Sequence, residues 1–523
     1  MIGVSVLLDE EIAVRGLFAF LTQVCEVSFT SVVRMNEDQK HFDVIVIGAG
    51  ISGIGAGYHL KTMSPDRTFQ ILEGRANFGG TWDLFKYPGV RSDSDMHTLG
   101  YRFKPWTADK SIADGPAILD YLAETIKENN LTEKIRYNQH VTKAEWSTLS
   151  NTWTLSVLDK ISNIVNKFSC NFLFMCSGYY SYKQGFTPEF PGIDQFKGKV
   201  VHPQFWQQDL DYRNKRVVVI GSGATAMTIV PAMAKDVAKI TMLQRSPTFV
   251  ISRPSVDPFA KRMRRLYPKR IAYALTRIEN TTRQQELYKL CRAFPAEVKQ
   301  VMIDAVRAEL GADYDVEKHF TPVYNPWDQR ICLVPDSDLF VAIRSGKADV
   351  ATDAIKTFTA TGIELESGSH LDADIIITAT GIELVTLGEI EFVIDSQPVN
   401  FADTWTYKGC AYSGVPNLAS SFGYINASWT LRADLTCEYV CRLLNHMRKT
   451  KTSVCTPTLR DTDKNMVPRK WLEDFSSGYM KRTMHKMPKQ GDREPWLNPQ
   501  NYELDKKMFR KSPVDDGAML FTN

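Results

Sequence analysis

Phe42-Asp43-Val44-Ile45-Val46-Ile47-Gly48-Ala49-Gly50-Ile51-Ser52-Gly53 decides the fold of this 523-residue chain. An apolar run that reads as a buried strand enters Gly-x-Gly-x-x-Gly, and a stretch of helical period follows. The glycines let the backbone turn sharply and approach a pyrophosphate, whose charge lies against the unpaired N–H groups of a helix N-terminus. The pattern returns downstream, where Arg216-Val217-Val218-Val219-Ile220 leads into Gly221-Ser222-Gly223-Ala224-Thr225-Ala226. One such turn is a weak signal. Two in strand–turn–helix context predict an α/β chain with two Rossmann-like units and two dinucleotides.

The residues beyond each turn tell the two sites apart. After the first, Thr68-Phe69-Gln70-Ile71-Leu72 ends at Glu73, where a carboxylate accepts hydrogen bonds from a ribose diol and repels a 2′-phosphate. After the second, Lys239-Ile240-Thr241-Met242-Leu243 ends in Gln244-Arg245-Ser246. A guanidinium fork at Arg245 matches a 2′-phosphate and stays charged at any relevant pH, although a strand-end arginine that meets only water would have the same sequence. The sequence therefore assigns FAD to the first turn, with Gly48, Gly50, Ser52, Gly53 and Glu73, and NADPH to the second, with Gly221, Gly223, Ala224, Thr225, Arg245 and Ser246.

Composition excludes several classes. Lys plus Arg number 63 against 60 Asp plus Glu, so nothing global draws the chain to nucleic acid. Lys261-Arg262-Met263-Arg264-Arg265 with Lys269-Arg270 is a local exception, read either as a solvated helix face or as a weak peripheral contact with anionic lipid. The nine cysteines, Cys25 among them, show neither a zinc pattern nor Cys-x-x-Cys and read as reduced, buried thiols. No metal site is expected. In the first forty residues the longest uncharged apolar run, Gly16 to Cys25, is too short to span a bilayer. Asp9, Glu10 and Glu11 stand where a secretory signal wants positive charge, which points to a cytoplasmic protein. Met35 looks like a natural start, with residues 1–34 an upstream extension and the first strand opening at Phe42.

Three further stretches carry a family resemblance. They are Gly79-Gly80-Thr81-Trp82-Asp83 continuing to Tyr87-Pro88-Gly89-Val90-Arg91-Ser92-Asp93, then Phe196-Lys197-Gly198 through His202-Pro203-Gln204-Phe205-Trp206, and Tyr324-Asn325-Pro326-Trp327-Asp328-Gln329-Arg330. Together, over residues 41 to about 510, they resemble the Baeyer–Villiger monooxygenases of the flavin-containing monooxygenase superfamily, on the branch of the ethionamide-activating enzymes. The chain departs from the pattern at Gln207, where Pro or Asp is usual, and at Gln329, where many relatives carry a basic residue.

The resemblance implies an NADPH-dependent flavoprotein that inserts one atom of O2 into a ketone through a C4a-peroxyflavin, giving an ester or lactone, with oxidation of thioethers or thioamides as a second activity. Arg330 would be the cation at the reacting oxygen, Asp93 its carboxylate partner, and His202 a third catalytic or domain-coupling residue. Gly80, Thr81 and Trp82 would touch the flavin nucleotide. A monooxygenase restricted to nitrogen or sulfur, and an NADPH oxidase or flavin reductase without oxygen insertion, remain alternatives.

The expected organisation is an extension at 1–40, a first FAD-binding part at 41–184, an NADPH domain at 185–372 with a helical insertion near 255–315, and a second FAD-binding part with the tail at 373–523. The crossings would lie at Cys176-Ser177-Gly178 and at Thr378-Ala379-Thr380-Gly381, with Thr380 and Gly381 at a cofactor. The helix after Asn426-Ala427-Ser428 would start at Trp429 and Thr430, either directing N–H groups at the flavin or as an ordinary capped helix.

Overall fold

In the computed structural model of the chain, residues 35–473 and 475–523 are described; residues 1–34, with Cys25 and the expected extension, lie outside them. Val44, Ile45, Val46 and Ile47 are all buried, Val44 and Val46 in one apolar cluster and Ile45 and Ile47 in another. Both faces of their strand are thus covered, as an apolar run without alternation requires. That strand, Met35–Ile47, lies inside a nine-stranded sheet between Phe69–Leu72 and Ile164–Met175, parallel to both. The long strand Ile164–Met175 pairs antiparallel with Thr152–Asp159 and, through its last residues, parallel with Leu418–Ser420. Glu391–Ile394 joins the same sheet, so the first unit is assembled from distant parts of the chain.

Two expectations change here. The first strand opens at Met35 rather than Phe42, because Met35 and Asn36 pair with Val165 and Asn166 before a register shift ahead of Lys40. The strand Ile375–Thr378 belongs to the second sheet, where it pairs with Arg216–Ile220 and Lys199–Val201. The chain therefore rejoins the first sheet only at Glu391.

The second sheet is wholly parallel, in the order Ala348–Thr352, Lys239–Gln244, Arg216–Ile220, Ile375–Thr378, Lys199–Val201. Arg216–Ile220 sits at its centre, its Val217 and Val219 in one core and Val218 and Ile220 in another. Helices Pro258–Leu266, Lys269–Ala293 and Pro295–Leu310 form the expected helical insertion. Arg277, buried in the second of these, donates to the carbonyls of His97 and Gly100 at 2.8 Å and ties the insertion to the flavin side. Helix Trp429–Thr450 lies on helix Ile51–Met63. The C-terminal segment is held by the pairs Lys408–Asp516 at 2.9 Å and Arg432–Asp505 at 3.6 Å. The eight described cysteines are all buried and free. No helix among the described residues is long and apolar enough to cross a membrane.

Candidate active site

The glycines of the two turns answer to three different constraints, one of them in the first turn alone, since Ala226 stands in the second where the first has Gly53. Gly48 and Gly221 take φ of +101° and +125°, a region that side chains disfavour, and a Cβ on either would stand 2.6 Å from the Cys176 carbonyl oxygen or 2.3 Å from that of Ala379. Gly53 has an ordinary φ, but its Cβ would meet the Gly48 carbonyl oxygen at 1.8 Å, so close packing of helix on strand forbids any side chain there. Gly50 and Gly223 are different. Both have ordinary φ, −78° and −81°, and begin helices as N-caps without a side-chain cap. A Cβ at Gly50 would find only Gly80 Cα at 3.6 Å, and one at Gly223 nothing within 4 Å. The space before these two helices is free of protein, and their first N–H groups lack a side-chain acceptor, which suits a phosphate at each.

One cavity of about 1280 Å³ takes in both turns. Gly48, Gly50, Ser52, Glu73, Gly80, Thr81 and Trp82 line one end, and Gly221, Gly223, Ala224, Thr225, Arg245 and Ser246 the other. Thr380 and Gly381 also lie on its wall. Glu73 is buried; its oxygens accept the N–H of Ala49 at 2.7 Å and of Arg75 at 2.9 Å, leaving lone pairs for a diol. Burial pushes its carboxyl above the usual range, against those two N–H donors. Arg245 is exposed and its guanidinium has no hydrogen-bond or ion-pair partner among the described residues, as a group kept for a bound phosphate would be.

Arg330 and Asp93, far apart in sequence, meet between the two ends, with Nη2 to Oδ2 at 2.8 Å. About a third of each side chain, 32% and 34%, is exposed. The Asp93 carboxylate, ahead of an opposing burial effect, holds the guanidinium above its already high ordinary pKa. Arg330 is placed by the strand that follows it, Cys332–Pro335, which pairs in parallel with Val250–Arg253. Asp93 sits in a loop fixed at Ser92, whose N–H donates to the Ala113 carbonyl at 2.9 Å.

Three expected site residues stand off the cavity wall. Gly53 acts through packing, as above. Thr430 is fully buried, its hydroxyl given to the carbonyls of Thr98 and Leu99 at 2.9 and 2.6 Å, so it offers no side chain to a cofactor. His202 packs on Gly185 and reaches the second crossing at Gly381. Its Nδ1 accepts from the Gln204 N–H at 3.2 Å, which puts the neutral ring's proton on Nε2, 3.3 Å from the Gly381 carbonyl. Burial lowers its pKa and favours that neutral ring. Trp429 does line the cavity, donating to Ser52 Oγ at 2.8 Å. Its helix has no side-chain N-cap, since the Ser428 hydroxyl is joined instead to Thr98 Oγ1 at 2.6 Å.

Sequence reasoning missed three tyrosines. Tyr179 stacks on Trp429, centroids 5.2 Å apart and planes at 11°, and its hydroxyl meets that of Tyr180 at 2.9 Å. Tyr479, from helix Gly478–Thr483, stands beside Arg330 on the cavity wall. The position of Tyr179 directly after Cys176-Ser177-Gly178 was the available signal; Tyr479 had none.

Known proteins are similar to this chain in sequence and fold. The profile of the flavin-binding monooxygenase-like family matches residues 111–389, and that of the NAD(P)-binding Rossmann-like domain residues 46–108. The FAD-containing monooxygenase EthA of Mycolicibacterium smegmatis is 48% identical, over 92% of this chain and 97% of that protein. The probable FAD-binding monooxygenase AlmA of Acinetobacter baylyi is 46% identical, over 92% and 96%. Among solved structures, an oxidised steroid monooxygenase bound to NADP superposes with a TM-score of 0.73 at 22% identity, covering 92% of this chain and all of that one. A cyclohexanone monooxygenase in an open crystal structure gives 0.65 at 20%, covering 80% and 90%.

Proposed function

The chain belongs to the flavin-binding monooxygenase-like family as an NADPH-dependent flavoprotein monooxygenase, and on that premise we propose that it performs Baeyer–Villiger oxygenation of ketones. In that reaction ketone, O2, NADPH and a proton become ester or lactone, NADP+ and water. The observation that carries the reading is the Arg330–Asp93 pair, a permanent cation a third exposed in the cavity that joins both nucleotide turns.

The residues divide the work. Gly48 and Gly50 with the helix Ile51–Met63 hold the FAD pyrophosphate, and Glu73 holds its ribose. Gly221 and Gly223 do the same for NADPH, and Arg245 pairs with its 2′-phosphate. When bound, the flavin, reduced by hydride from NADPH, supplies the electrons that activate O2. Arg330 then stabilises the negative charge that develops on oxygen, because a guanidinium cannot give its proton away, and Asp93 fixes where that cation points. Tyr179 and Trp429, stacked on each other, supply an aromatic part of the wall of the cavity.

Incubation with ketones, NADPH and isotopically labelled O2 tests this: the ester should carry one labelled atom. Stoichiometric hydrogen peroxide without oxygenated product, or oxygenation confined to amines and sulfides, would refute it. A second expectation concerns the coenzyme. Arg245→Ala should raise KM for NADPH by about ten- to a hundred-fold, the loss of one charge-assisted contact, and leave KM for NADH nearly unchanged. Equal effects on the two would remove Arg245 from the 2′-phosphate site.

A further inference from the structure

Behind the Arg330–Asp93 pair lies a second, smaller cavity of about 130 Å³. It shares Asp93, Ser94, Arg330, Leu333 and Ala427 with the wall of the large one. Much of its surface is apolar, from Ile251, Leu287, Trp327, Ile331 and Ile425. The charged residues on its wall balance formally, Arg253, Arg283 and Arg330 against Asp93, Asp95 and Asp257.

The hydrogen bonding does not balance. Asp93 is paired with Arg330. Asp95 accepts from the Thr98 N–H and hydroxyl, both at 3.0 Å, and from Gln284 Nε2 at 2.9 Å. Asp257 caps helix Pro258–Leu266, accepting the N–H groups of Phe259 and Ala260, and takes Asn280 Nδ2 at 2.8 Å. Asp257 also faces the Arg283 guanidinium, at a long 3.9 Å, so each acid already has partners and none of them is bonded to Arg253. Arg253, by contrast, ends the strand Val250–Arg253 half-buried, and its guanidinium makes no hydrogen bond or ion pair with any described residue. Arg283 Nε and Trp327 Nε1 are buried without an acceptor. Trp327 is held there at a φ of +70°, a conformation unusual for a bulky side chain. Every unmet polar atom of the residues lining this cavity is a donor, and buried donors without acceptors are costly.

We propose that this cavity receives the far end of the substrate and that Arg253 selects substrates ending in a carboxylate, that is, oxo acids whose keto group lies at Arg330 while the acid reaches Arg253. The inference rests on the oxygenation reading above and extends it to a substrate class. A carboxylate brings acceptors for several donors at once and a bonded partner for a guanidinium that feels Asp95 and Asp257 only at longer range, and the apolar wall suits the carbons between the two groups.

The test uses the holoenzyme with levulinate, para-acetylbenzoate and longer oxo acids, each beside its methyl ester, which keeps the ketone and removes the charge. At least one acid should be oxygenated with higher kcat/KM than its ester. Arg253→Met should lower kcat/KM for that acid by about ten- to a hundred-fold and leave the ester within about twofold. Arg253→Lys, which keeps the charge without the fork, should restore part of the loss. Calorimetric titration of the oxidised holoenzyme with para-acetylbenzoate should show the same ranking without turnover. Acids no better than their esters, or a preference that survives Arg253→Met, would overturn the proposal. Binding that depends on Arg253 without any oxygenation of acid or ester would instead overturn the reaction and leave the pocket standing.

Discussion

Arg330→Ala is expected to cut ester formation on the order of a hundred- to a thousand-fold while NADPH is still consumed. One preorganised electrostatic donor aimed at developing charge is typically worth about 2.7 to 4 kcal/mol, which sets that range. The substitution leaves alone the glycine turns and helix N-termini proposed to hold the two nucleotides, so reduction should continue. Asp93 would lose its ion-pair partner but remains about a third exposed, so the fold should tolerate the change. The outcome is an uncoupled enzyme that releases hydrogen peroxide nearly in step with NADPH oxidation. Product chromatography and a peroxide assay on the same reactions decide the matter. Ester formation at close to the parental rate would make the pair structural and require another cation for the chemistry.

Gly50→Val is expected to abolish FAD binding and leave the polypeptide folded. The contrast within one turn makes this specific. A side chain at Gly53 runs into the Gly48 carbonyl oxygen at 1.8 Å, so Gly53→Ala should destabilise the fold itself. A Cβ at Gly50 meets nothing nearer than Gly80 Cα at 3.6 Å, so a side chain there points into the space proposed for a pyrophosphate. Purified Gly50→Val should therefore be colourless, keep the circular dichroism of the flavin-free parent, and gain no thermal stability when FAD is added. A yellow, stoichiometrically loaded variant would refute the first site.

Both nucleotide turns were legible in the sequence because the constraints on them are local: a strand, positive-φ glycines and a helix start within a few residues of one another. The places of Glu73 and Arg245 on the cavity wall followed from strand ends for the same reason. The sheet to which Ile375-Ile376-Ile377 belongs was not legible, since an apolar run fits the interior of any parallel sheet and its partners are chosen by topology. Met35–Lys40 read as a polar tail because pairing with Val165 and Asn166 satisfies backbone groups without an apolar pattern. Arg330 and Asp93 were joined only through resemblance. Arg253 escaped notice altogether, and Trp327 was seen only as part of a family-like stretch, because the parallel pairing of Val250–Arg253 with Cys332–Pro335 is what brings their segments to one wall. His202 was visible as a motif residue, yet its role depends on the Gly381 carbonyl across the crossing.

The burial of the cysteines has a consequence for the lifetime of the catalyst. A flavoprotein that handles O2 leaks oxidant whenever turnover uncouples, and Cys332 lines the very cavity where that oxidant would arise. Burial pushes its thiol to about 12, and does the same for Cys410, Cys441 and Cys455. Peroxide attacks the thiolate, the form that burial disfavours at Cys332. Self-inactivation through sulfenic acid at these positions should therefore be slow even in the uncoupled Arg330→Ala enzyme, which mass spectrometry of the tryptic peptides after turnover checks.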